Sequence, residues 1–172
     1  MDADARRDFT AFVESRSVAL FRFAVALTGH PQQAEDLLQS VLARAYRHWG
    51  RIQEGHPEAY LRQAMCREQI SWFRRPGWGR ELASDRLPER RASDGTAAVD
   101  LRLALRQALA QLGPRHRAVL VLRYLEDLPD DQIASILGCK PATVRSLVAR
   151  ALGRIRELRP DLVHDLAEEG QR

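Results

Sequence analysis

The 172-residue chain is poor in three features that would each point to a different class of protein: cysteine, long apolar runs and lysine. Its two cysteines, Cys66 and Cys139, form neither a CxxC pair nor a disulfide framework, which favours a reduced compartment. No apolar run approaches the roughly 20 residues that span a bilayer, and the amino terminus lacks the basic-then-apolar profile of a secretion signal. We therefore expect a cytoplasmic protein without membrane insertion.

Positive charge comes almost entirely from arginine. Of 27 basic residues only Lys140 is a lysine, and 23 acids leave a formal net charge of +4. A net charge this small does not by itself indicate a nucleic-acid partner. A preference for arginine over lysine is also typical of a GC-rich genome. Because the planar guanidinium suits phosphates and guanine edges, the positions of the arginines carry more information than their number.

The motifs of common catalytic and cofactor sites are missing from the sequence. There is no nucleophile elbow, glycine-rich phosphate loop or HExxH motif, and the five histidines are scattered without ligand spacing. The adjacent acids Asp130 and Asp131 are better explained as the start of a helix than as a metal site. We expect no enzyme, no cofactor and no metal.

Apolar residues recur at spacings of three and four, which predicts an all-α protein made of two small helical domains. In the first domain, 5–75, the pattern predicts three helices and one loop, which together suit a compact bundle: Asp8 to Leu27, Gln32 to Trp49, the loop over 50–57, and Glu58 to Arg75. Residues 76–97 are polar and open on Pro76-Gly77-Trp78-Gly79, so they are predicted to form a flexible linker. The second domain covers 98–160, and an acidic tail covers 161–172.

Residues 129–158 have the pattern of a helix-turn-helix. Asp130 can cap a short helix, and Gly138 suits the left-handed turn position that other residues resist. Pro141 fits the first turn of a second helix, which Pro160 stops. Five apolar residues at spacings of four and three are predicted to anchor this second helix to the core: Val144, Val148, Ala151, Ile155 and Leu158.

The opposite face of that second helix is strongly basic. Within 141–159 there are five arginines against the single acid Glu157. Recognition helices read bases with residues near their amino terminus, so the predicted base-reading and phosphate-contacting set is Thr143, Arg145, Ser146, Ala149 and Arg150. Arg154 and Arg156 are better placed for backbone contacts. The alternative interpretation of this face is a solvated surface on an ordinary helical hairpin.

Seven strings in the same order over about residues 5–160 resemble the extracytoplasmic-function RNA polymerase sigma factors, and most closely their actinobacterial SigE-like branch. They are Phe12-Val13-Glu14-Ser15-Arg16, Leu27-Thr28-Gly29, Ala34-Glu35-Asp36-Leu37-Leu38-Gln39, Ala59-Tyr60-Leu61-Arg62, Ser71-Trp72-Phe73-Arg74-Arg75, Leu112-Gly113-Pro114-Arg115-His116-Arg117 and Thr143-Val144-Arg145-Ser146. The resemblance implies a region 2 bundle and a region 4 helix-turn-helix. It also implies a factor that directs core RNA polymerase to promoters.

The resemblance further implies a role for each surface. The second helix would dock on the clamp helices of the polymerase β′ subunit through Asp36 and Gln39, with Arg44 nearby, and region 4 would meet the β flap. The loop and third helix would open and read the minus-10 element through Arg51, Tyr60, Arg62, Arg67, Trp72 and Arg75. The helix-turn-helix would read the minus-35 element through Arg145, Ser146, Ala149 and Arg150. An anti-sigma protein would be a further partner.

Three positions depart from the family pattern. Relatives often carry asparagine where this chain has Arg67, and they often carry larger polar or aromatic residues at Leu147 and Ala149. Two rival functions also stay open from the sequence. One is a stand-alone helix-turn-helix regulator that binds duplex DNA without polymerase, and the other is a protein-interaction bundle without salt-sensitive DNA binding.

Overall fold

A computed structural model describes residues 3–73 and 97–160 of the chain, with side chains described over 4–72 and 103–160. All the regular structure in these two ranges is helical, which confirms the all-α prediction. The chain divides into two compact units, 1–75 and 76–172. The predicted linker over 76–97 and the predicted tail over 161–172 lie almost wholly outside the described residues. No helix within the described ranges is long and apolar enough to cross a membrane.

The first unit is a bundle of three long helices and one short one. They are α1 (Ala3–Thr28), α2 (Pro31–Arg47), α3 (Trp49–Ile52) and α4 (Pro57–Phe73). The turn between α1 and α2 depends on Gly29, whose φ of 77° is the left-handed conformation that glycine adopts without strain. Thr28 closes the same turn, since its hydroxyl donates to the carbonyl of Ala24 at 2.9 Å.

Every long helix of the first unit contributes fully buried side chains to one core. They are Leu20, Phe23 and Leu27 from α1, Leu37 and Val41 from α2, and Leu61 and Met65 from α4. Each buried side chain of this size contributes about 1.5–3 kcal/mol relative to exposure. The apolar spacing of three and four therefore corresponds to buried side chains at these positions, whereas Tyr46 of α2 is 37% exposed.

The short helix α3 replaces the first half of the loop predicted over 50–57. Trp49 is 2% exposed and packs against two rings of α1, at 5.0 Å from Phe9 and 5.0 Å from Phe12 between ring centroids. Tyr46 meets Phe9 edge-on at 5.2 Å. This aromatic cluster holds α3 against α1, so α2 ends at Arg47 rather than at Trp49.

The second unit contains α5 (Ala97–Ala110), α6 (Pro114–Leu120), α7 (Asp130–Leu137) and α8 (Pro141–Leu158). A π-helical turn, Val121–Leu125, continues α6 and is a feature that the apolar periodicity did not predict. Val119 and Leu122 are buried, whereas Tyr124 and Leu125 are 65% and 58% exposed.

A buried arginine links α5 to α6. The guanidinium of Arg117 donates to the carbonyls of Leu109 at 2.7 Å, Ala110 at 2.7 Å and Leu112 at 2.9 Å. These carbonyls close the carboxyl end of α5, where the last carbonyls of a helix have no donors within the helix. Burial lowers the pKa of this guanidinium to about 10.

Candidate nucleic-acid interface

The exposed face of α8 carries the whole set predicted for minus-35 contact. Val144, Ala151 and Ile155 are buried, as predicted, and they fix which side of α8 faces the core. Exposed on the other side are Thr143, Arg145, Ser146, Ala149, Arg150 and Arg154. Leu147, one of the positions that depart from the family pattern, is 9% exposed and follows Val144 by three positions on the core side. Val148 and Leu158, predicted as anchors, are only partly buried.

Three residues of this face also make contacts within the protein. The Ser146 hydroxyl donates to the carbonyl of Ala142 at 3.2 Å, which leaves its oxygen lone pairs available. Arg154 Nη1 donates to Glu157 Oε2 at 2.8 Å. Arg145 Nη1 lies 3.4 Å from Asp130 Oδ2.

A groove runs beside the carboxyl-terminal half of α8. It has a volume of about 490 Å³ and is lined by Arg150, Gly153, Arg154 and Glu157 of α8 and by Gln111, Leu112, Gly113 and His116 at the turn from α5 to α6. Arg150 and Arg154 outnumber Glu157 and leave this groove with net positive charge on the same side of α8 as the candidate reading face. That arrangement suits contacts to a phosphate backbone, which give affinity without sequence information.

The turn between α7 and α8 has the geometry that the sequence predicts. Gly138 adopts φ 62° and ψ 47°, the left-handed conformation, and Pro141 stands at the first turn of α8. Arg115 of α6 donates from Nη2 to the carbonyl of Leu137 at 3.1 Å. This hydrogen bond ties α6 to the end of α7, and the buried side chains of α7 and α8 hold α8 at a defined angle to α7.

Asp130 does not cap α7, contrary to the expectation from the sequence. Pro129 is the N-cap residue, and no side chain within the described residues accepts a hydrogen bond at that cap. The Asp130 carboxylate instead forms ion pairs with Arg123 of the π-helical turn and Arg145 of α8.

The first unit has its own groove at the end of α3. It has a volume of about 380 Å³ and brings together Arg51 and Tyr60, both predicted for minus-10 contact, with His48, Ile52, Gly55 and His56. The two histidines were not predicted, because in the sequence they look like members of a scattered set without ligand spacing. Their proximity depends on the turn from α3 to α4, which has no strong sequence signal.

The other residues predicted for minus-10 contact do not line this groove. Arg62 is half-buried, because it donates to Glu58 at 2.5 Å and stacks over the ring of Phe23 at 5.3 Å from its centroid. Arg67 is exposed and Trp72 is half-buried, both on later turns of α4. Tyr60 and Trp72 are about 18 Å apart along the helix axis at 1.5 Å per residue. Arg75 lies outside the described residues.

The predicted polymerase-facing residues lie on α2. Asp36 and Gln39 are exposed, and Gln39 Nε2 donates to Glu35 at 3.4 Å. Arg44 is engaged inside the unit, since its Nη2 donates at 2.8 Å to Glu68, whose side chain is 7% exposed. Ser40 donates to the other carboxylate oxygen of Glu68 at 2.5 Å, so α2 and α4 share a polar contact at this point.

A helix-turn-helix with an exposed basic face, in one chain with a separate helical bundle, is an architecture typical of DNA-binding proteins. Two family models match the chain: Sigma-70 region 2 over residues 12–79 and Sigma-70 region 4 over residues 102–155. The chain belongs to the sigma-70 family, in its extracytoplasmic-function group of RNA polymerase sigma factors.

Relatives of known name agree with this membership. The RNA polymerase sigma-E factor of Streptomyces coelicolor is 37% identical over 151 residues, which cover 87% of this chain and 85% of that protein. The ECF RNA polymerase sigma factor SigL of Mycobacterium tuberculosis is 32% identical over 151 residues, with 85% of each protein covered. Among solved structures, the sigma factor RpoE of Bartonella quintana, crystallised with the anti-sigma factor NepR, has a TM-score of 0.64 and 25% identity. That match covers 90% of this chain and 98% of that one.

Proposed function

We propose that this sigma factor binds bacterial core RNA polymerase and directs it to promoters by reading the minus-35 element with α8 and the minus-10 element with the first unit. The observation that carries the proposal is the outer face of α8, where six exposed candidate residues stand opposite a fully apolar core side. A hairpin packed only for stability would have no need to gather arginines on one rigid face.

The residues of α8 divide by their place along the helix. Thr143, Arg145 and Ser146 lie in its first two turns, where a recognition helix meets base edges in the major groove. Arg150 follows one turn later and suits a guanine, to which arginine can make a bidentate contact. Arg154 lies at the basic groove and is assigned to the phosphate backbone.

The groove at the end of α3 is our candidate for an unpaired minus-10 base. Its volume of about 380 Å³ lies in the range of small-ligand sites. Tyr60 is 43% exposed at its edge and can stack on a base, and Arg51 can pair with the adjoining phosphate. Unstacking a base costs a few kcal/mol, which these contacts would offset. Arg67 and Trp72, farther along α4, would follow the strand, and we retain Arg62 and Arg75 only as outlying candidates.

The exposed pair Asp36 and Gln39 on α2 is our candidate contact with the β′ clamp helices. In this proposal Arg44 acts by holding α2 to α4 through Glu68, so its contribution to polymerase binding is partly structural. The protein would work in the cytoplasm, where polymerase is found. The similarity to a sigma factor crystallised with an anti-sigma factor supports an anti-sigma protein as a further partner.

The test is co-elution with purified bacterial core RNA polymerase in gel filtration, with wild type beside Asp36→Ala. Glu14→Ala is the matched control, because Glu14 is also an exposed acid on a helix of the same unit. We expect wild type and the control to co-elute and Asp36→Ala to dissociate during the run. Circular dichroism of each free protein shows that the variants are folded.

Two results of this experiment would contradict the proposal. If folded wild-type protein does not bind polymerase at micromolar concentration but binds duplex DNA alone, the chain is a stand-alone helix-turn-helix regulator. If Asp36→Ala and Glu14→Ala co-elute equally well, Asp36 is not part of the contact with polymerase.

A further inference from the structure

The carboxylate of Asp130 lies between two arginines from different elements. Arg123 of the π-helical turn pairs with Oδ1, and Arg145 of α8 lies 3.4 Å from Oδ2. The side chain of Asp130 is 25% exposed and that of Arg123 is 30% exposed. The ion pair with Arg123 therefore fixes the Asp130 side chain against the π-helical turn. Its Oδ2 faces Arg145 on the outer face of α8.

Arg145 is placed differently from its partner. Its side chain is 66% exposed, and only Nη1 approaches Asp130. A free arginine on a surface samples many rotamers and loses that freedom when it binds. An ion pair to a fixed carboxylate restricts those rotamers before DNA arrives, while the exposed edge of the guanidinium fork stays available for a base.

We propose that Asp130 is a positioning residue that orients Arg145 and so determines base specificity at one position of the minus-35 element without touching the DNA. The proposal rests on the proposed function, because it requires α8 to read DNA. The proposal also predicts that Asp130 affects overall DNA affinity and base discrimination in opposite directions. A carboxylate beside the reading face repels phosphates, so Asp130 lowers affinity for every DNA sequence while it raises discrimination among them.

The experiment uses full-length protein reconstituted with bacterial core RNA polymerase and a promoter library randomised across the minus-35 region. Bound DNA is recovered and sequenced for wild type, Asp130→Asn and Arg145→Ala. Arg145→Ala identifies the base pair that Arg145 reads. We expect Asp130→Asn to reduce the preference at that same base pair about tenfold, the scale of one good base contact. Asp130→Asn added to Arg145→Ala should reduce it no further.

Asp131→Asn is the matched control. Asp131 is the next residue of α7 and is exposed, and within the described residues it forms no ion pair. Both substitutions should raise binding to unselected DNA about twofold to fivefold, because each removes one negative charge near phosphates. Only Asp130→Asn should change the base preference, and Asp130→Glu, which keeps the carboxylate, should restore it.

A second measurement does not depend on any variant. The ¹⁵N relaxation of arginine side chains in the free wild-type protein should show a more ordered guanidinium at Arg145 than at the exposed Arg150. Equal disorder at the two sites would overturn the proposal. So would an unchanged preference in Asp130→Asn, or an equal loss in Asp130→Asn and Asp131→Asn. A wild-type holoenzyme that selects no minus-35 sequence would instead contradict the proposed function itself.

Discussion

Replacing Arg117 tests whether a buried guanidinium, rather than apolar packing alone, joins α5 to α6. In Arg117→Met the three carbonyls of Leu109, Ala110 and Leu112 lose a charged donor at 2.7–2.9 Å. Hydrogen bonds to charged groups are worth about 1.5–3 kcal/mol each, so the gross loss is roughly 5–9 kcal/mol.

That sum is an upper bound, because the three bonds share one guanidinium whose burial is unfavourable. Burial lowers the pKa of Arg117 to about 10, since desolvation disfavours the charged form. We therefore expect a net destabilisation of about 2–5 kcal/mol, the scale of breaking a buried charged contact. Arg117→Lys should lose a smaller part, because one ammonium cannot reach three carbonyls with the geometry of a planar fork.

The pH dependence of this effect follows from the same pKa. A pKa lowered on folding means that the unfolded chain binds more protons than the folded chain above about pH 10, so the contribution of Arg117 to stability rises with pH there. Below about pH 9 the guanidinium is charged in both states. The destabilisation in Arg117→Met should therefore be equal at pH 6 and pH 8.

Urea unfolding followed by circular dichroism measures the free energy, and hydrogen exchange with mass spectrometry assigns the loss to α5 and α6. Arg106→Met is the control, because Arg106 is an exposed arginine on α5 and its replacement should cost less than about 0.5 kcal/mol. A change of that small size in Arg117→Met would refute the reasoning, since the carbonyls would then lose nothing by losing the guanidinium.

Three further predictions concern the remaining surfaces. Gly138→Ala should lower the free energy of unfolding by about 1 kcal/mol, because Gly138 has a φ of 62° although a Cβ there meets no atom within 4 Å; unfolding in urea measures it. Arg44→Ala should destabilise the first unit by about 1–3 kcal/mol, because the buried carboxylate of Glu68 loses its cation. Arg150→Ala should weaken minus-35 binding by the reconstituted holoenzyme by about 1–3 kcal/mol, measured by promoter titration.

Each of these three substitutions has a control variant or a result that would contradict the prediction. Arg47→Ala, an exposed arginine of α2, should leave the first unit unchanged, and equal effects of Arg44→Ala and Arg47→Ala would exclude the role of Glu68. Gly153→Ala, in the helical part of α8 with open space at its Cβ, should not destabilise as Gly138→Ala does. Transcription from a selected promoter that is unchanged in Arg150→Ala would remove Arg150 from the reading set.

The parts of the fold that the sequence predicted are those with local physical causes. The bounds of α8 follow from Pro141 at its start and Pro160 after its end, and the turn follows from the one glycine that can adopt the left-handed conformation there. The core side of α8 follows from its spacing of three and four. None of these signals needs a contact from elsewhere in the chain.

The parts that were missed depend on partners distant in sequence. A carboxylate just before a helix can cap it or pair with an arginine, and only Arg123 and Arg145 decide between these roles for Asp130. Helix α3 is stabilised by the packing of Trp49 against the rings of Phe9 and Phe12 in α1. The groove that joins Arg51 to Tyr60 forms only after that packing, so its two histidines could not be distinguished beforehand from the other three.

Arginine shows why net charge was a weak guide to the interface. Arg117 and Arg115 donate to backbone carbonyls of helix ends, and Arg62 and Arg44 are tied to carboxylates of α4. None of these four side chains lies on the exposed face of α8, so they release few counterions when α8 binds DNA. The salt dependence of promoter binding should therefore follow the exposed arginines of α8, and removing one arginine that binds a phosphate there should reduce the slope of log K against log salt by about 0.9. A substitution such as Arg117→Lys, which leaves the charge count unchanged, should reduce stability and leave that slope as it is.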